Sequence, residues 1–106
     1  KCWVKFNSSG TIADSYNTTS ITDNGEGDWT VNIATDFSNA NYAALVSGGM
    51  HNGGNYMINY SISDATGPTA GQLRIRAGNL GNASWSGNEE DPNDPNAIYF
   101  VAFGDQ

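Results

Sequence analysis

Few residues in this chain are of a type that makes or breaks bonds. There is one histidine, His51, and one cysteine, Cys2, in 106 residues. Neither stands in a local Ser-His-Asp or Cys-His pattern, so nucleophilic catalysis has no visible machinery. The run Glu89, Glu90, Asp91 and Asp94 supplies neighbouring carboxylates. Glycoside hydrolysis needs two carboxyls held across a bond, one of them with a raised pKa. Adjacent acids on a polar, solvated stretch do not suggest that. Calcium suits such oxygens better, although the run has no EF-hand spacing, and a solvated acidic loop is the plain alternative. One imidazole and one thiol are too few for the usual transition-metal sites. The expectation is a protein that is not an enzyme and carries no cofactor.

Binding chemistry has more to work with. Trp85 sits in Gly81-Asn82-Ala83-Ser84-Trp85-Ser86-Gly87-Asn88, among small polar residues. A tryptophan placed so can stack on a ligand beside an amide such as Asn82, or it can plug a gap in the core. Gly48-Gly49 and Gly53-Gly54 bracket Met50, His51 and Asn52 as a loop tip, with Tyr56 close behind. The candidate ligand contacts are therefore Trp85, Asn82, His51, Asn52 and Tyr56. Arg74 and Arg76 share one strand face, where they could pair with the acidic run of the same or a neighbouring copy, or take an acidic sugar.

Composition narrows the partners. The net charge is −7, with only four Lys and Arg. Lys1, Lys5, Arg74 and Arg76 form no basic stripe, which argues against nucleic acid and against anionic membranes. No apolar run approaches a membrane span and no signal-peptide pattern is present. The chain begins at Lys1, so a fragment or processed end of a longer chain is expected. A lone cysteine cannot form an internal disulfide. Cys2 reads as a small apolar strand residue, with an interchain bridge as the sharper alternative.

The elements that must position these residues are strands. Trp29, Val31 and Ile33 alternate with Thr30 and Asn32, the period of a half-buried strand. They form the second arm of a hairpin whose first arm is Ser15 to Thr22 and whose turn is Asp23 to Asp28, with Asn-Gly in it. Cys2, Val4 and Phe6 share the inner face of a first strand, leaving Trp3 and Lys5 outside. Thr11 to Tyr16 leads into the hairpin, and Asp36 to Asn41 reads as a polar loop. Asn55 to Ser63 alternates, as does Gln72 to Ala77 with Leu73, Ile75 and Ala77 inward. Tyr42 to Val46 and Ala97 to Phe103 are apolar on both faces, so the first should be central or covered on both sides and the second must be covered on both. No helical period is sustained. Seven or eight short strands over one domain, residues 1–106, predict an antiparallel β-sandwich. Trp3 on an outer face and a last strand apolar on both sides suggest an oligomer interface, with Trp3, Ile98 and Phe100 as its candidates.

Several stretches also resemble a family. They are Trp3-Val4-Lys5-Phe6-Asn7, Gly10-Thr11, Ser20-Ile21-Thr22-Asp23-Asn24-Gly25, Gly27-Asp28-Trp29-Thr30-Val31-Asn32 and Phe103-Gly104. Together they resemble the C-terminal domain of bacteriophage tail-fibre and other virion proteins, closely over the first third and the final strand and weakly from about Ser47 to Asn96. Ser8-Ser9 and Trp29 depart from the Gly-Thr and Tyr common there. The resemblance implies a trimeric β-sandwich at the tip of a longer fibre, located in the virion. Its partners would be other virion proteins and a host surface glycan or protein, met through polar loops. The alternative is a structural module, at the capsid surface or a fibre joint, that binds only neighbouring virion subunits.

Overall fold

The computed structural model describes residues 1–49, 58–63, 67–79 and 97–106. Among these are eight strands and no helix: β1 (Cys2–Phe6), β2 (Ile12–Tyr16), β3 (Thr18–Gly25), β4 (Asp28–Ile33), β5 (Ala43–Gly48), β6 (Ile58–Ile62), β7 (Gln72–Asn79) and β8 (Ile98–Phe103). They build two antiparallel sheets, ordered β2-β1-β8-β5 and β3-β4-β7-β6. The expected all-β antiparallel sandwich is the observed fold.

Alternation supplies the core. Cys2, Val4 and Phe6 of β1 and Ile98, Phe100 and Ala102 of β8 face Trp29, Val31 and Ile33 of β4 and Leu73, Ile75 and Ala77 of β7. Trp29 is fully buried. Its ring meets Phe6 edge-on at 5.9 Å, and its Nε1 donates to the Ser8 carbonyl at 2.8 Å. That bond removes the cost of burying an indole N–H without a partner. The Ser8 carbonyl is held in place by the turn around it, in which the Asn7 Oδ1 accepts from the amides of Ser9 and Thr11.

Three sequence readings change. The hairpin's first arm is not continuous from Ser15. The chain turns at Asn17, at φ 58°, and passes from one sheet to the other, so β2 and β3 lie in different sheets. Asn tolerates this left-handed conformation, and its side chain fixes the corner by accepting from Thr35 N at 2.7 Å and donating to the carbonyls of Lys1 and Thr35. The turn itself is shorter than expected, since Gly25 pairs with Asp28 and leaves only Glu26 and Gly27 between the strands. Finally, β5 is an edge strand, and Leu45 on its outer side is 67% exposed rather than covered. The polar loop after β4 also hides an apolar anchor, because Phe37 is buried and stacks on Tyr42 at 4.3 Å.

Two tyrosines tie the layers reciprocally. Tyr42, just before β5, donates to the carbonyls of Thr69 and Gln72 beside the other sheet. Tyr60 of β6 donates to the Gly49 carbonyl at 2.6 Å, just after β5. Burial pushes both phenols up to about 12. Gly48 makes room for the Tyr60 ring, 2.6 Å from where a Cβ would stand, and Gly104 for the Tyr42 Cβ, also at 2.6 Å, and the Phe37 ring.

Candidate functional site

The ligand contacts expected from sequence, Trp85, Asn82, His51, Asn52 and Tyr56, lie outside the described residues, as do Glu89, Glu90, Asp91 and Asp94. What the described residues place on the surface are two sheet faces of different chemistry.

The outer face of the β2-β1-β8-β5 sheet carries an apolar row beside a mixed one, in which Asp14, Lys5, Tyr99 and Ser47 follow one another. Cross-strand register sets Tyr16, Trp3, Val101 and Leu45 in one row across all four strands. Tyr99 and Phe103 flank that row on β8, about half exposed. Lys5 lies over the Tyr99 ring, 5.6 Å from its centre. This corrects the interface candidates. Trp3 is on the outer surface, but Ile98 and Phe100 are core residues, 0% and 2% exposed. Side chains alternate along a strand, so the outward set of β8 is Tyr99, Val101 and Phe103. Cys2, one residue from Trp3, points inward and is fully buried. Burial pushes its thiol up, against a weaker pull from its contact with the Thr18 hydroxyl. An inert core thiol fits this placement, and an interchain bridge does not.

The outer face of the β3-β4-β7-β6 sheet is polar. Thr22, Thr30 and Arg74 form one row, and Ser20, Asn32 and Gln72 the next. Asp28, opposite Arg76 on β7, is the buried acid of this face. Arg74 grips it with both ends of its fork, Nε to Oδ1 at 2.8 Å and Nη2 to Oδ2, and Arg76 Nε lies 3.7 Å from Oδ2. Desolvation pushes the Asp28 carboxyl up. The hydrogen bonds from Arg74 and Asn24 and the charges of Arg74 and Arg76 outweigh it, so the carboxyl sits below the ordinary range. The arginines do share a face, as their spacing suggested, and a described partner for both is Asp28. Sequence reasoning missed the role of Asp28 because it reads as a turn residue by sequence, whereas it opens β4, opposite Gly25 of β3 and Arg76 of β7.

Neutral side chains continue the network. Asn32 Nδ2 donates to the hydroxyls of Ser20 and Thr22 at 3.0 and 2.9 Å. Gln72 Nε2 donates to Asn32 Oδ1 at 2.9 Å. Asn24 Nδ2 donates to Thr30 Oγ1 at 2.8 Å and to Asp28 Oδ1 at 3.3 Å. A cleft of about 340 Å³ opens on this face, lined by residues including Asn24, Thr30, Gly67, Thr69, Gln72 and Arg74. The arrangement can order hydrogen-bonding groups toward a ligand, and its acid is held as a structural carboxylate by two cations. Compared with known proteins, the chain matches no family model, no curated protein and no solved structure.

Proposed function

We propose that this domain is a module of a bacteriophage virion fibre. It assembles as a homotrimer through the outer face of the β2-β1-β8-β5 sheet and attaches the virion to a host surface glycan or protein. The observation that carries the reading is the row Tyr16, Trp3, Val101 and Leu45, which puts a contiguous apolar surface where a lone domain would gain by polar residues. Covering it with copies of the same chain removes that surface from water, and closed symmetry is the common form of such assembly. Three linked copies then turn weak ligand contacts into tight attachment. The resemblance of Trp3 to Asn7, Ser20 to Asn32 and Phe103-Gly104 to fibre C-terminal domains supports the location.

Sedimentation equilibrium tests the assembly. The wild-type chain is expected to sediment as a trimer, and Val101→Lys as a monomer with an unchanged fold. A monomeric wild type at working concentrations overturns the reading. Adsorption of the purified trimer to bacterial cells tests attachment. The same apolar face favours a second reading, a capsid-surface or fibre-joint module that binds only virion neighbours. A stable trimer that adsorbs to no cell surface decides for it.

A further inference from the structure

We propose that the outer face of the β3-β4-β7-β6 sheet is itself a ligand site, and that it takes an uncharged, polyhydroxylated ligand, a neutral oligosaccharide. The inference rests on the attachment reading for the ligand's source, and moves the contact from the connecting loops to a sheet face.

The side chains of this face already bond to one another. Ser20, Thr22 and Thr30 each accept a hydrogen bond from an amide held in fixed geometry. A hydroxyl that accepts one bond still has a proton to give. Thr69 is in the same position at the rim of the cleft, since its Oγ1 accepts from the amides of Gly71 and Gln72. The face therefore offers oriented O–H donors beside amide oxygens, and their side chains are ordered before any ligand arrives. Sugar hydroxyls both donate and accept, so they complement such an array group by group. Pre-ordering lowers the entropy cost of binding. The cleft, about 340 Å³, lies within the range of small-ligand sites.

Charge decides the class of saccharide. Asp28 answers Arg74 directly and Arg76 at longer range, so the arginines brace the floor of the face. The chain as a whole carries −7, and that field opposes a polyanionic glycan. Around them the lining is uncharged: the amides and hydroxyls of Asn24, Thr30, Thr69 and Gln72, with Gly67 and Leu73 between them.

The test is a glycan array carrying neutral, uronic-acid, sialylated and phosphorylated oligosaccharides, probed with the intact wild-type trimer, Thr30→Val and Gln72→Leu. Binding to neutral glycans is expected, weakened about tenfold or more by each variant while both variants stay folded at the assay temperature, as loss of a hydrogen bond of about 1.4 kcal/mol would give. Backbone chemical-shift mapping on the wild-type chain reads the site without substitution, and the amides of Thr30, Asn32 and Gln72 should move on titration with the bound glycan. Binding confined to anionic glycans overturns the proposal. So does neutral-glycan binding that folded variants retain, or shifts confined to other residues. Cell adsorption separates the two levels. If wild type and both variants adsorb equally, attachment stands and this site falls. If nothing adsorbs and no glycan binds, both fall.

Discussion

Across one outer face of the sandwich run Tyr16, Trp3, Val101 and Leu45; across the other run Ser20, Asn32 and Gln72, with Thr22, Thr30 and Arg74 beside them. Both rows arise from the same alternation, and both stand on a continuous core. They differ in how their side chains are occupied. On the polar face, amides, hydroxyls and the Asp28–Arg74 pair bond to each other across β3, β4 and β7. That face contributes to the stability of a single copy and is pre-shaped for polar contact. On the apolar face the exposed rings and the Leu45 side chain reach outward, and their burial would come from a partner. One sheet face thus supports the fold, while the other leaves apolar side chains exposed, the surface through which assembly is proposed.

Substitutions test this contrast. The shared interior should show the largest effect: Trp29→Ala removes a fully buried indole and is expected to cost about 3–5 kcal/mol in a denaturant titration. If it cost no more than a surface change, the common core beneath both faces would be wrongly placed. On the polar face, Asp28→Asn should cost about 2 kcal/mol, because it weakens charge-assisted hydrogen bonds and leaves Arg74 facing a neutral group.

The pH dependence of the same residue follows from its lowered pKa. The Asp28 contribution is fully present above the unfolded carboxyl's value, about 3.9, and is lost as pH falls through the lower folded value. Acid titration of melting should therefore fall more steeply below about pH 4 for wild type than for Asp28→Asn. Equal slopes would remove Asp28 from the stabilising network.

Smaller effects come next. Tyr60→Phe strands the Gly49 carbonyl and should cost about 1 kcal/mol. Burial raises the Tyr60 phenol to about 12, above its ordinary value of about 10, so its contribution is whole below about pH 10 and lost as pH rises through about 12. Ultraviolet titration should show the late-ionising phenol of Tyr60 disappear in that variant. Smallest of all, Leu45→Ser on the apolar face should change single-copy stability by no more than about 0.5 kcal/mol, since surface substitutions rarely do more, while weakening self-association by sedimentation. A large loss of single-copy stability there would erase the contrast between the faces.

Much of the fold was legible one strand at a time. The inward sets of β1, β4 and β7 follow from alternation of apolar and polar residues, and the observed burial agrees with each. Asn17 was not read as a corner, because a strand-like composition on both sides of it conceals a change of sheet. Nor was the edge position of β5 legible, since an apolar run looks the same in a central strand as at an edge. The Phe103-Gly104 pair shows the reverse case. Its glycine is a sequence feature whose reason is tertiary, the close approach of Tyr42. The candidate site was only half legible, because Thr30, Asn32, Arg74 and Arg76 could be assigned to outward faces but not to the same face.

The sequence by itself determined the class of fold, the inner residues of β1, β4 and β7 and the poverty of catalytic groups, because these depend on period, composition and residue type within a few positions. Beyond the β3-β4 hairpin, the tertiary structure alone decided which strands pair. That pairing brings Asp28 to Arg74 across 46 positions and aligns Tyr16, Trp3, Val101 and Leu45 in a row. It also turns Ile98 and Phe100 inward and Tyr99 and Phe103 outward. The physical reason is that register between distant strands is set by how two sheets jointly bury their apolar faces, and no single strand carries that information.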